Sequence, residues 1–219
     1  MVRTFVKKTV RWLVGRTGVG SKALVTLDLW PYLEDKGWVR SRRERLPVDR
    51  DGDCLPWYSY SMIAFLSDKV RPDMRVFEYG SGYSTLWWAR RVAHVTSCEH
   101  DQYWYDTLNA KVPSNVDLRY CELDTDGAYC RMAAQFQAEF DCLLIDGRDR
   151  VNCAKNCLGA LKDDGVIIWD NTDRERYAEG CAFLRENGFR RLDFWGLMAI
   201  LPTESCTSLF YRENNCFGI

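Results

Sequence analysis

Two glycines and a series of carboxylates set the chemistry open to this chain. Glu78-Tyr79-Gly80-Ser81-Gly82-Tyr83-Ser84-Thr85 is a glycine-rich turn, in which missing Cβ atoms let the backbone bend sharply and approach a ligand. A helix expected after it presents free N–H groups to an anion. Acids then recur at Glu99, at Asp124 or Asp126, at Asp146 and at Asp170. One such acid is commonly a loop residue or a helix cap, but five in step with a glycine turn describe a polar pocket. Glu78 sets its preference, because a carboxylate inside the turn repels a pyrophosphate more than an amine or a sulfonium.

The elements that must position these residues follow from apolar periodicity. Met74 to Phe77, Val92 to Glu99, Val116 to Cys121, Phe140 to Ile145 and Gly165 to Trp169 read as strands. Helices are expected over 57–66, after Thr85, over 103–110, over 129–138 and from Asp146 to Leu161. Nearly all-apolar strands alternating with helices predict a parallel sheet covered on both faces. In such a doubly wound sheet the ligand lies beyond the carboxyl ends of the strands, which is where the acids fall. After a helix over 177–187, the strands over 190–194 and 206–212 follow each other without a helix, an antiparallel finish.

Composition fits a folded α/β domain with an extension in front: of 219 residues, 47% are hydrophobic and the net charge is only −1. That charge hides an asymmetry, since residues 1–50 carry twelve Lys and Arg against five Asp and Glu and the remainder nets −8. Residues 2–14 set Val2, Phe5, Val6, Val10 and Leu13 opposite Arg3, Lys7, Lys8 and Arg11 on a helical wheel. A basic amphipathic helix of this kind lies on an anionic membrane surface or packs on the domain or a second subunit, a homo-oligomer. The organisation read is a basic extension over 1–56 and a core domain over 57–219. Ten cysteines without a Cys-x-x-Cys or a signal peptide read as reduced thiols of a cytoplasmic protein, peripheral on the inner face of a membrane if the helix docks there. With His94 and His100 the only histidines, Cys153 and Cys157 make a poor zinc site.

Glu-x-Gly-x-Gly-x-Ser-Thr after a strand, with Glu99 closing the next strand, resembles the class I S-adenosylmethionine-dependent methyltransferases, and the late helix-free strand pair resembles their reversed last strand. The similarity covers about residues 57 to 212. It implies a Rossmann-like α/β fold with a doubly wound, mostly parallel seven-stranded sheet, and S-adenosyl-L-methionine as cofactor. It further implies that Glu78, Gly80 and Gly82, with Tyr79, Ser81, Ser84 and Thr85, line the methionine end, the cofactor's carboxylate facing loop N–H groups. Glu99 would accept the ribose hydroxyls, Asp124 would neighbour the adenine and Asp146 the sulfonium.

A narrower stretch, Leu-Ile-Asp146-Gly, then Asn152, then Gly165-Val-Ile-Ile-Trp-Asp170-Asn171, is similar to the metal-dependent catechol and caffeoyl-coenzyme A O-methyltransferases. That similarity implies Asp146, Asp170 and Asn171 as a catalytic set holding Mg²⁺, which lowers the pKa of a substrate hydroxyl. Arg148-Asp149-Arg150 stands where those enzymes have a lysine. Arg148, Arg150 and Arg174 are the expected binders of an anionic small-molecule or glycan acceptor, and Tyr58 its stacking partner. Other readings stay open: an aminopropyl transferase, a nicotinamide oxidoreductase using Gly80-Ser81-Gly82 with Glu99, or a non-catalytic binding module on the same fold. Nucleic acid is disfavoured, because Asp170-Asn171-Thr172-Asp173 is not the Asn-Pro-Pro-aromatic signature of base methylation and would repel phosphates.

Overall fold

A computed structural model describes residues 18–219, so the amphipathic pattern at 2–14 lies outside the described residues. The helices are α1 Gly18–Asp35, α2 Trp38–Glu44, α3 Tyr60–Lys69, α4 Tyr83–Ala89, α5 Gln102–Asn109, α6 Arg150–Asn156 and α7 Ala178–Glu186. The strands are β1 Arg75–Tyr79, β2 His94–Glu99, β3 Val116–Tyr120, β4 Phe140–Ile145, β5 Leu161–Asp170, β6 Arg190–Leu197 and β7 Glu204–Tyr211. They form one seven-stranded sheet in the order β3-β2-β1-β4-β5-β7-β6. The first five pair in parallel, whereas β7 runs antiparallel to β5 and β6. A short link without a helix permits only an antiparallel pair, which is why the end of the chain reverses.

The central strands are buried on both faces, as their apolar runs require. Phe140–Ile145 is buried at all six positions, and alternate side chains serve opposite layers. Leu143 and Ile145 join Phe77, Tyr79, Ile167 and Trp169 against residues of α6 and α7. Cys142 and Leu144 join Val76, Val95 and Ile168 against Met62 and Leu66 of α3 and Trp87 and Trp88 of α4. At about 1.5–3 kcal/mol for each fully buried large apolar side chain, this double layer holds the strands rigid and fixes where their carboxyl ends point.

Several elements depart from the sequence expectation. α3 starts at Tyr60 because Ser59 caps it, its Oγ accepting from Met62 N at 3.3 Å. Residues 129–138 hold only a 3-10 turn, Ala133–Gln135. The Tyr79 phenol donates to Cys130 O at 2.8 Å and accepts from Ala133 N at 3.2 Å, so a core side chain takes backbone groups that a helix would pair internally. β5 begins at Leu161, which leaves the preceding helix only Arg150–Asn156. Residues 18–56 also form elements that the sequence did not announce, α1 and α2. Trp38 Nε1 donates to Leu201 O at 3.2 Å and Arg42 Nη1 to Ile200 O at 3.3 Å, fastening α2 to the β6–β7 loop. No helix among the described residues is long and apolar enough to cross a membrane, and all ten cysteines are free thiols.

Candidate functional site

The strand order reverses between β1 and β4, the chain moving outward to β3 on one side and to β5 on the other. Loops leaving two such strands diverge and open a crevice. Here it is a cleft of about 890 Å³. Gly80 and Gly147 follow β1 and β4 and meet at its wall: a Cβ on Gly80 would lie 2.6 Å from Gly147 Cα, and Gly80 holds a φ of 88°. Glycine alone meets both conditions.

Glu78 is fully buried and receives hydroxyls from Ser84 at 2.5 Å, Thr85 at 2.5 Å and Ser97 at 2.9 Å. Burial pushes its pKa up to about 7, against the pull of the three hydroxyls and with a smaller push from Asp146. One carboxyl thus ties the end of β1 to the first turn of α4 and to β2. The turn's own N–H groups are spent as well. Gly80 N donates to Cys98 O, Ser81 N to Glu99 Oε2 and Gly82 N to Thr85 Oγ1, each at 2.9 Å. The anion cradle expected from the glycine spacing is therefore corrected at these three positions, whose donors are satisfied within the protein.

Glu99 ends β2 at the cleft wall, 3% exposed. Its Oε2 accepts both Ser81 N and Ser81 Oγ, and its Oε1 the N–H groups of His100 at 2.8 Å and Asp101 at 2.9 Å. At the ends of β4 and β5, Asp146, Asp170 and Asn171 come together around the Arg150 guanidinium. Arg150 Nη2 donates to Asp146 Oδ1 at 2.8 Å, and Asp170 Oδ1 accepts the Thr207 hydroxyl at 2.5 Å. Burial raises the pKa of Asp146 against the opposing charge of Arg150. Burial raises that of Asp170 well above the usual range, and the charge of Asp146 adds to it.

Residues 77–172 match a family model described as a methyltransferase domain. The chain carries a class I methyltransferase fold. The methyltransferase fold is shared with a precorrin-6y C5,15-methyltransferase from Geobacter metallireducens GS-15, 13% identical, with a TM-score of 0.54 over 68% of this chain and 86% of that one. A rRNA methylase from Streptococcus thermophilus superposes with a TM-score of 0.51 at 14% identity, over 68% of this chain and 93% of the other. A spermidine synthase bound to the transition-state analogue AdoDATO reaches 0.50 at 16% identity, over 69% and 57%. At these identities the likeness is one of fold. No curated protein matches the sequence.

Within the methyltransferase fold, the turn from Gly80 to Ser84 shares its cleft with Glu99, Asp146, Asp170, Asn171, Arg148 and Arg174. Other expected residues lie elsewhere. Tyr79 and Thr85 are fully buried with Glu78 behind the wall. Asp124 is exposed and outside the cleft lining, its carboxylate accepting Ala128 N at 3.1 Å and Tyr129 N at 3.4 Å in a turn. Tyr58 is 1% exposed. Burial first, then the charges of Asp146, Glu78 and Asp170, raise the pKa of its phenol, and its ring packs in the core rather than on the cleft surface as a stacking platform. Arg150, expected to bind substrate, is built into the cleft wall at 8% exposure.

The cleft has a second side that the sequence did not disclose. Arg45, Leu46 and Pro47 of the extension and Trp57 just after it face the cleft, with Met198, Ile200 and Leu201 of the β6–β7 loop. Arg45 belongs to the basic first 50 residues, but no local signal says that α2 docks on residues 200–201.

Proposed function

We propose that this chain is an S-adenosylmethionine-dependent methyltransferase acting on an oxygen of an anionic small-molecule or glycan acceptor. The observation that carries the proposal is one cleft at the switch point of a methyltransferase fold, lined by the glycine turn and by Glu99, Asp146 and Asp170. The residues fit the cofactor: acids favour a sulfonium, and a Cβ at Gly82 would meet nothing closer than Ser84 Oγ at 3.9 Å, so the wall there is open backbone. S-adenosylmethionine would supply an electrophilic methyl group. Glu99 and the turn would hold its ribose and methionine parts, and Asp146 would sit toward the sulfonium. Positioning is the main contribution, able to supply about 7–11 kcal/mol. Asp170, with its raised pKa, is the carboxyl suited to exchange a proton with an acceptor hydroxyl, worth a factor of about 10² to 10⁴.

Arg45, Arg148 and Arg174 support an anionic acceptor. They come to the cleft from three segments, and none has a carboxylate within ion-pair distance among the described residues. Their forked donors match carboxylate or phosphate, while Leu46, Trp57 and Leu201 offer apolar cover. Calorimetric titration tests the reading. Binding of S-adenosylmethionine and S-adenosylhomocysteine without NADH is expected. Tight binding of decarboxylated S-adenosylmethionine alone would turn it to aminopropyl transfer, and binding of none to a non-catalytic module.

A further inference from the structure

The cation that the similarity to the metal-dependent O-methyltransferases asks for at the ends of β4 and β5 is already present as a side chain. Arg150 Nε donates to Gly147 O at 2.9 Å. Nη1 donates to Asp170 O at 2.5 Å and Asn171 Oδ1 at 3.4 Å. Nη2 donates to Asp146 O at 2.6 Å and Asp146 Oδ1 at 2.8 Å. A guanidinium has five N–H donors, and each meets an acceptor here. The Tyr177 ring lies 5.3 Å from Cζ, near enough for a cation–π contact.

We propose that Arg150 is a built-in cation, that it replaces a divalent ion at this site, and that the chain works without metal there. It rests on the methyltransferase reading only in its cofactor-affinity arm. Mg²⁺ needs oxygen ligands in near-octahedral array at about 2.0–2.1 Å. Of the three side chains available, Asp146 and Asn171 direct an oxygen to Arg150, and Asp170 directs one to Thr207. An ion placed among them would face a fixed positive charge it cannot displace, because Arg150 begins α6 and is 8% exposed. The neighbouring acids also have partners within the protein: Asp149 accepts from Asp126 N at 2.9 Å and Asn152 Nδ2 at 2.8 Å, and Asp173 Oδ1 from Ser205 Oγ and Cys206 N, each at 3.2 Å. No group of three or more His, Cys, Asp or Glu among the described residues is placed to hold a metal.

What the arginine does differs from what a metal would do. A divalent ion lowers the pKa of a hydroxyl bound to it, whereas a guanidinium with every donor engaged has none left for an acceptor. Arg150 is thus a positioning residue: it fixes the Asp146 carboxylate and joins the carbonyl ends of β4 and β5 across the switch point. Lysine cannot do the same, having three donors on one atom and no planar fork.

The test is paramagnetic titration of the full chain with Mn²⁺ alongside calorimetry with S-adenosylhomocysteine, on wild type, Arg150→Lys, Arg150→Ala and Asp146→Asn. Expected for wild type are no stoichiometric Mn²⁺ binding up to millimolar concentration and an S-adenosylhomocysteine Kd unchanged within twofold by EDTA. Arg150→Lys should fold, by circular dichroism, and lose at least fivefold in S-adenosylhomocysteine affinity. One Mn²⁺ bound per wild-type chain, and lost in Asp146→Asn, overturns the proposal; so does an Arg150→Lys affinity equal to wild type. If Arg150→Ala does not fold, the wild-type Mn²⁺ arm still decides. Failure of S-adenosylhomocysteine to bind any variant strikes the methyltransferase reading and leaves the Mn²⁺ result standing.

Discussion

Ser81 donates twice to one oxygen of Glu99, its N and its Oγ each lying 2.9 Å from Oε2. The other oxygen takes the N–H groups of His100 and Asp101. A carboxylate offers about four acceptor positions, and all four are filled from within the protein. A ribose hydroxyl meeting Glu99 must compete with Ser81 Oγ, the one donor of the four that can rotate away about χ1. Glu99 is therefore an anchor joining the glycine turn to the start of α5 as well as the proposed ribose acceptor.

These two roles separate in mutants. Glu99→Ala should weaken S-adenosylhomocysteine at least tenfold, about 1.4 kcal/mol, and lower thermal stability, since three backbone donors and one hydroxyl lose a charged acceptor. Ser81→Ala removes only the rotatable competitor and should keep affinity within about threefold. Calorimetry reads both, and an unchanged Kd in Glu99→Ala would remove Glu99 from the site.

Glu78 gives the pH dependence a definite sign. Its folded pKa of about 7 stands above the unfolded value of 4.5, so between these values the folded state holds a proton that the unfolded state has released. Stability from this group is full below pH 4.5 and is lost as pH rises through 7, a change of about 3 kcal/mol by linkage. Glu78→Gln removes the titration while keeping an acceptor for the hydroxyls of Ser84, Thr85 and Ser97. Urea unfolding at pH 5 and pH 8 should show wild type losing more stability than Glu78→Gln across that interval. A larger loss in the variant contradicts the assignment.

Residues 2–14 allow a prediction from sequence. Their apolar stripe and opposed cations fit an anionic bilayer surface, and about 1 kcal/mol per Lys or Arg near it makes the effect measurable. Wild type should sediment with vesicles containing 30% (about one lipid in three, to give a surface potential) phosphatidylserine, and a chain lacking residues 1–16 should not. Equal sedimentation of the two sinks the idea.

The sheet was legible because its strands are buried on both faces and so announce themselves as apolar runs; Phe140–Ile145 is the clearest. The cleft acids were legible because each follows such a run. Contacts between distant segments were not legible. Nothing near Arg150 in sequence says that Asp170 O, twenty residues on, will receive its Nη1, and nothing near residues 129–138 says that Tyr79 will take the place of helical bonds. The same holds for Arg45, which reaches the cleft only because Trp38 and Arg42 dock on residues 200–201. Local spacing also could not tell a buried structural acid from a wall residue, which is why Glu78 and Glu99 read alike.

The two glycines of the turn read alike as well, and they should respond in opposite ways to alanine. At Gly80 the backbone holds φ 88° and a Cβ would lie 2.6 Å from Gly147 Cα and 2.7 Å from Gly147 N. Backbone strain of about 1–3 kcal/mol and forced displacement of a second backbone together predict a loss of at least about 2 kcal/mol, or roughly 4–8 °C in Tm for a chain of this size. At Gly82 the backbone is extended, φ 174°, and the nearest obstacle to a Cβ is Ser84 Oγ at 3.9 Å. Gly82→Ala should keep its Tm within about 2 °C, consistent with the small effect of unobstructed substitutions. Its added methyl faces the cleft, however, and should weaken S-adenosylhomocysteine at least fivefold. Scanning calorimetry and titration on the two variants give the pattern: one loses stability, the other affinity. If Gly82→Ala binds as wild type does, the cofactor does not approach the turn at that glycine.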